Sequence, residues 1–332
     1  MKTNELRASD RPLSAVYDTA LLDLDGVVYR SQDAVPHAVE SLLAAAGQGM
    51  RLTYVTNNAS RTPETVTAHL VELGLPATDD EVVTAAQAVA RLIAEQVPKG
   101  ARVLAVGGEG LFKALEEHGL TLVRSADDDP AAAVQGYVPE TTWKDLAEIA
   151  YAVGRGVPWF SANADLTMPT SRGIAPGNGA MVTAVAQATK TWPTIAGKPE
   201  PALHRETMIR TGAKHPLVVG DRLDTDIEGA NRAGVESLLV LTGVTDEAAL
   251  LAAEPVHRPT YVAADLRGLL AQTTRAPERD GDGWRCGAWR AEFVDGEVKT
   301  GRVDPAGDGD GEDDPLDELR ARCAAAWAAM DA

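Results

Sequence analysis

The chain has 332 residues, 45% of them hydrophobic but only 5% aromatic, so it can bury a sizeable core built mainly from Ala, Val and Leu. Its formal charge of −18, of which residues 277–332 carry −8 through 15 Asp/Glu against 7 Lys/Arg, excludes a basic face for nucleic acid or acidic membranes. Two cysteines, Cys286 and Cys323, exclude a disulfide scaffold, and no apolar run approaches membrane-spanning length or forms a leader at Met1–Ser14, so a cytoplasmic protein is expected.

Strand-like runs alternate with Ala-rich amphipathic segments, the pattern of a parallel α/β sheet. Strands are predicted at 17–25, 51–56, 102–106, 132–136, 215–220 and 237–241. Helices are predicted at 35–47, 62–73 with Pro63 in its first turn, 110–118, 143–153 and 225–233. Residues 273–283 read as a Pro/Gly/Asp-rich linker. Beyond it come two strand-like runs about an Asp295-Gly296 turn, an acidic loop at 304–315, and a last helix with Leu316, Leu319, Cys323, Trp327 and Met330 on one apolar face. About 50 residues make little core alone, so this appendage is expected to pack on the main body or to support a homodimer.

Four groups of chemistry-bearing residues fall at strand ends, where open α/β sheets place their sites. Asp23-Leu24-Asp25-Gly26 carries two crowded acids that need a cation or separated pKa values. Thr56-Asn57-Asn58 offers a hydroxyl and amides suited to phosphate oxygens, and Lys198 is a point positive charge before Pro199. Gly220-Asp221-Arg222-Leu223-Asp224-Thr225-Asp226 adds carboxylates. Singly, each reads as a turn, a cap or a surface charge. Their joint order reads as a phosphate trap with a nucleophile, a proton donor, a lysine and acids for Mg²⁺.

These stations resemble the four motifs of the haloacid dehalogenase superfamily, and the wider match resembles its p-nitrophenylphosphatase or NagD-like branch. The likeness runs from about Tyr17 to Leu270, through Asp23-Leu-Asp-Gly-Val-Val-Tyr29, Tyr54-Val-Thr-Asn-Asn58, Ala175-Pro-Gly-Asn-Gly179, Ala196-Gly-Lys-Pro-Glu200 and Val219-Gly-Asp-Arg-Leu-Asp-Thr-Asp-Ile227. It implies a Rossmann-like doubly wound core and an aspartyl-phosphate route for small phosphate monoesters. Asp23 would attack phosphorus, and Asp25 would protonate the leaving alkoxide and then activate water. Thr56, Asn57 and Asn58 would hold phosphoryl oxygens, and Lys198 would neutralise charge. Asp23, the Asp25 carbonyl and Asp221 would ligate Mg²⁺, with Asp226 orienting from behind. An acid at position 25 suits an alkoxide leaving group.

Asn57 lies 30 positions after Val27, too close for an inserted lid, whereas 139 residues separate Asn58 from Lys198. The cap is therefore expected at 82–183, the core at 1–81 and 184–272, and a small α+β appendage at 284–332. Asn163, Asp165 and Arg172, before the return to the core, are the candidate specificity residues. The expected substrate is a short polyol or sugar phosphate such as glycerol 3-phosphate. Phosphoglycolate, a nucleoside monophosphate or pyridoxal phosphate are alternatives, and a non-catalytic phosphate-metabolite sensor is the rival of another class. Gly108-Glu-Gly110 and Gly177-Asn-Gly179 lack the third glycine of a dinucleotide loop. The appendage lacks the pyrophosphate loop of the acetyltransferase-like extension found in some relatives.

Overall fold

A computed structural model describes residues 5–170, 172–303 and 314–332. Ser171 and all but the last two residues of the expected acidic loop 304–315 lie outside the described residues. The chain divides into two compact units, Met1–Leu52 with Ala213–Ala332, and Thr53–Gly212.

The first unit contains the parallel strands Tyr261–Ala263, Glu236–Val240, Pro216–Gly220 and Thr19–Leu22, neighbours in that order. The register pairs Leu21 with Val218, Val219 with Leu238, and Leu239 with Val262. Almost every residue of these strands is buried, because helices cover both faces of a parallel sheet and leave no polar side to alternate. The predicted helix at 225–233 is resolved into a π-helical turn, Leu223–Ile227, followed by Glu228–Ala233.

The C-terminal residues belong to this unit. Glu278–Asp280, Gly283–Cys286, Trp289–Val294 and Glu297–Arg302 form an antiparallel meander, and the helix Asp317–Met330 lies against it. Asp295 (φ 55°) and Gly296 (φ 87°) make the two-residue turn expected of this pair, since both must be left-handed to match strand twist. Residues 273–283 are not a plain linker. Thr274 exchanges backbone hydrogen bonds with Ser9 (2.8 Å each way), and Glu278–Asp280 is a strand. The last helix also differs from a one-faced amphipath. Leu319, Cys323 and Trp327 pack on Leu239, Leu250 and Val262, while Ala321 and Ala325 pack on Cys286 and Ala291 of the meander. Sandwiched in this way, it is buried on two sides, and Met330 at its end is exposed.

In the second unit, the last three residues of the strand Arg51–Thr56 pair in parallel with Val82–Thr84, Tyr54 facing Val82. A separate five-stranded parallel sheet runs Thr194–Ile195, Trp159–Ser161, Ala132–Gln135, Arg102–Val106 and Thr121–Val123. Sheet membership thus does not follow the limits 82–183: Val82–Thr84 pairs with Arg51–Thr56, and Thr194–Ile195 joins the insert's sheet. Trp143–Gly154 and Asn178–Thr189 cover that sheet through Ile149, Ala152, Val182 and Val185. The α/β reading of the fold holds, with parallel sheets in both units. No helix among the described residues is long and apolar enough to cross a membrane.

Candidate active site

In the first unit, Asp23 follows directly on the buried strand Thr19–Leu22, and its N–H donates to Val219 O (2.8 Å), which continues the ladder past the strand end. Asp221 leaves the neighbouring strand Pro216–Gly220, and Asp226 sits one π-turn further. Asp23, Asp221 and Asp226 each bring a carboxylate oxygen within 4.8 Å of the others. Asp221 and Asp226 are fully buried and Asp23 half-buried. Three anions so placed repel one another strongly at the low effective dielectric of an interior. An all-oxygen carboxylate set is the donor chemistry of a hard divalent cation such as Mg²⁺. Asp25, by contrast, is exposed, in the tight loop where Gly26 N–H donates to Tyr29 O (2.8 Å).

Small residues make room for this cluster. Gly26 has φ +88°, and a Cβ there would stand 2.7 Å from Asp221 Oδ2. A Cβ on Gly243 would overlap the same carboxylate, and one on Gly220 would overlap Asp226. The loop after the strand Glu236–Val240 closes over Asp221: Val244 N–H donates to Oδ2 (2.7 Å) and Thr245 N–H to the Asp221 carbonyl (3.1 Å). Thr242 Oγ1 donates to Gly26 O (2.6 Å). Thr242, Gly243 and Val244 were not singled out from the sequence, where Thr-Gly-Val after a strand is an ordinary loop. Asp224 is taken up by Arg222, which donates to both its oxygens (3.0 and 2.8 Å).

In the second unit, Thr56 ends its strand with its hydroxyl accepting from Asn58 N–H (3.1 Å). The Asn58 side chain is occupied locally, its Oδ1 accepting from Ser60 N–H and Oγ (2.9 Å each) and from Arg61 N–H (3.3 Å). Asn57 does something the sequence did not suggest. Its Oδ1 accepts from Lys198 N–H (2.7 Å) while its Nδ2 donates to Lys198 O (3.0 Å), a two-point clamp on the lysine's main chain. Gly197 lets the clamp close, since a Cβ there would meet Asn57 Oδ1 at 2.7 Å. Lys198 is buried, with Nζ donating to Val55 O (3.5 Å) and a cis peptide to Pro199. Nearby His204 is also buried. Burial, with Lys198 adding to it, pushes its imidazole down to about 3, so the ring is neutral and does not oppose the lysine.

Asn163 and Asp165 join the same network. Asn57 Nδ2 donates to the Asp165 carboxylate (3.2 and 3.4 Å), and Asn163 Nδ2 donates to Asn57 O (2.7 Å). Gly177-Asn178-Gly179 shapes this loop: Asn178 Nδ2 donates to Ser161 Oγ (2.9 Å) and Asn163 O (2.8 Å). A Cβ on either glycine would overlap the carbonyls of Asp165 and Ala164. The glycines rejected as a dinucleotide loop thus serve close backbone packing. Arg172 stands exposed between Thr167–Thr170 and Gly173–Pro176, outside this network.

Family models match two stretches of the chain. A haloacid dehalogenase-like hydrolase model matches residues 20–121, and a HAD-hydrolase-like model matches residues 195–269. The chain belongs to the haloacid dehalogenase-like hydrolase family. It is 44% identical over 324 residues to a D-glycerol 3-phosphate phosphatase of Mycobacterium tuberculosis, covering 96% of this chain and 88% of that one. Crystal structures of the M. tuberculosis glycerol phosphate phosphatase superpose with TM-scores of 0.87 in complex with calcium and 0.85 with magnesium, at 44% identity. The first covers 97% of this chain and 91% of that one, the second 96% and 92%. A 5′-nucleotidase of Bacillus subtilis is 35% identical over 247 residues, 74% of this chain and 94% of its own.

Proposed function

We propose that this hydrolase is a Mg²⁺-dependent phosphatase of small phosphate monoesters, glycerol 3-phosphate foremost, working in the cytoplasm through an aspartyl-phosphate on Asp23. The observation that carries the reading is the gathering of Asp23, Asp221 and Asp226 within 4.8 Å, an anionic set that fits a hard cation. Asp23, Asp221 and the Asp25 carbonyl would hold Mg²⁺, with Asp226 steadying them. When bound, Mg²⁺ offsets the negative charge of carboxylates and phosphoryl group alike.

The Asp23 carboxylate attacks phosphorus and the ester oxygen leaves. Asp25, exposed and so able to meet the substrate, gives that oxygen a proton and then takes one from the water that cleaves the acyl phosphate. Lys198, fixed by Asn57, neutralises charge as it develops on the phosphoryl oxygens, and Thr56 with the main-chain N–H at 57 holds those oxygens, the N–H at 58 being taken by the Thr56 hydroxyl. Asn163, Asp165 and Arg172 are the proposed contacts to the alcohol part.

Glycerol 3-phosphate is favoured because likeness to the mycobacterial phosphatase extends over 96% of this chain, appendage included. A nucleoside monophosphate is the second reading, supported by the Bacillus 5′-nucleotidase over 74% of the chain. The deciding measurement is phosphate release from both esters and from nitrophenyl phosphate, with Mg²⁺ and with EDTA, beside Asp23→Asn. Metal-dependent release that Asp23→Asn abolishes is expected. A wild-type protein releasing no phosphate from any of them would leave the sensor reading in its place.

A further inference from the structure

We propose that the C-terminal helix Asp317–Met330 is a positioning element for the carboxylate cluster, acting by gripping the short helix that follows the Asp221 loop. The proposal rests on the reading of Asp23, Asp221 and Asp226 as the Mg²⁺ site. Asp221 is held by main-chain N–H groups of Val244 and Thr245, so the placement of residues 242–245 sets where its carboxylate lies. Upstream the loop is anchored by the sheet strand Glu236–Val240. Downstream it runs into Glu247–Leu251, capped by Asp246 Oδ1, which accepts from Ala249 N–H (2.8 Å). Five helical residues do not hold their shape alone.

The C-terminal helix supplies what is missing. Trp327 Nε1 donates to Leu250 O (3.0 Å), a last-turn carbonyl that also accepts from Ala253 N–H (3.1 Å), and Arg322 donates to Glu247 Oε2 (3.1 Å) in the first. Trp327 and Leu250 are buried in one cluster with Leu239 and with Ile227, the neighbour of Asp226. The helix is itself fastened. Buried Arg258 donates to both oxygens of Asp331 (2.6 and 2.9 Å) and lies over the Trp327 ring, and Arg320 donates to Val262 O (3.1 Å). One helix therefore backs the segment that follows the loop holding Asp221 and the segment that carries Asp226. Carboxylates that repel splay apart unless their supports are rigid, and weakening such outer supports lowers metal affinity ~10–100-fold.

The test uses the full chain and Mg²⁺ alone as the probe. Trp327→Phe keeps an aromatic ring, a smaller one, and removes the N–H, and Arg322→Gln removes the other grip at the surface without touching the core. Cys286→Ala loosens the opposite side of the same helix and serves as the control for lost stability. The readouts are the Mg²⁺ dependence of nitrophenyl phosphate hydrolysis and the rise in Tm on adding Mg²⁺.

Trp327→Phe is expected to raise the half-saturating Mg²⁺ ~10-fold, leave kcat at saturating Mg²⁺ within about twofold, and shrink the Mg²⁺-induced rise in Tm. Arg322→Gln follows in the same direction by ~2-fold. Cys286→Ala lowers Tm and leaves both Mg²⁺ readouts as in the wild type. The proposal is overturned if both Trp327→Phe and Arg322→Gln respond to Mg²⁺ as the wild type does, or if Cys286→Ala shifts the half-saturation as far. A wild type whose hydrolysis and Tm both ignore Mg²⁺ overturns the metal reading beneath it.

Discussion

The two units solve opposite electrostatic problems by different means. In the first, three like charges are crowded together, and the chain makes space by omitting side chains at Gly26, Gly220 and Gly243 and by aiming main-chain N–H groups at Asp221. In the second, one buried cation is fixed by the two-point clamp of Asn57 on the Lys198 main chain, with neutral His204 beside it. Crowded anions tolerate no extra atom, whereas a clamped lysine depends on one particular side chain. Substitutions should therefore fail differently in the two units: through added bulk in the first, and through lost hydrogen bonds in the second.

The largest effect tests the acid side. Asp23→Asn removes the proposed nucleophile and should lower kcat on nitrophenyl phosphate on the order of 10⁴-fold or more, with the circular dichroism spectrum unchanged. A variant with a tenth of wild-type activity would exclude Asp23 as nucleophile. Lys198→Met, on the other side, should cost ~10²–10³-fold in kcat, the scale of losing one preorganised electrostatic contact. Retention of near-normal kcat there would mean that charge on the phosphoryl group is met elsewhere.

Next come the supports. Gly243→Ala presses a methyl group into the Asp221 carboxylate and should raise the Mg²⁺ needed for half-maximal rate ~10-fold or more. Asn57→Ala leaves Lys198 in place but unclamps it. A loss of ~10–100-fold in kcat with little change in the Mg²⁺ requirement is expected, since small misplacements of a catalytic group are costly. If Asn57→Ala shifted the metal requirement and Gly243→Ala did not, the proposed contrast between the units would be reversed.

The smallest effect at neutral pH concerns His204. Its folded pKa, about 3, lies below the unfolded value of ~6.5. The unfolded chain then binds a proton that the folded one refuses, so this group's contribution is constant above ~6.5 and stability is lost as pH falls from there towards 3. His204→Leu should flatten that acid limb in urea midpoints measured between pH 7.5 and 4, with the neutral arm little changed. An equally steep limb in the variant would assign the acid sensitivity to other groups.

Much of this is legible in the sequence. Motif residues at strand ends, the strands 51–56 and 102–106, and the Asp295-Gly296 turn follow from local patterns: apolar runs, turn residues and charge. What local pattern missed has a common cause. Asn57 reads as a phosphate ligand until its partner, 141 positions away, is seen to be the Lys198 backbone. Gly177-Asn178-Gly179 reads as a failed nucleotide loop until its glycines are found against Ala164 and Asp165. The last helix reads as amphipathic until a meander is found on its second side. Hydrogen-bond partners and backbone approach distances are set by the fold, and residue type alone does not disclose them.

By itself, the sequence determined the identity and order of the groups proposed to react, because the carboxylates of Asp23, Asp25 and Asp221 and the amine of Lys198 belong to their side chains and strand-end positions need only local patterning. Tertiary structure alone decided which residues lie against them: the Thr242 to Thr245 loop on Asp221, the amide of Asn57 on Lys198, and the C-terminal helix on Leu250 beyond that loop. Those roles depend on atoms brought within about 3 Å from distant parts of the chain, which only the packed fold specifies.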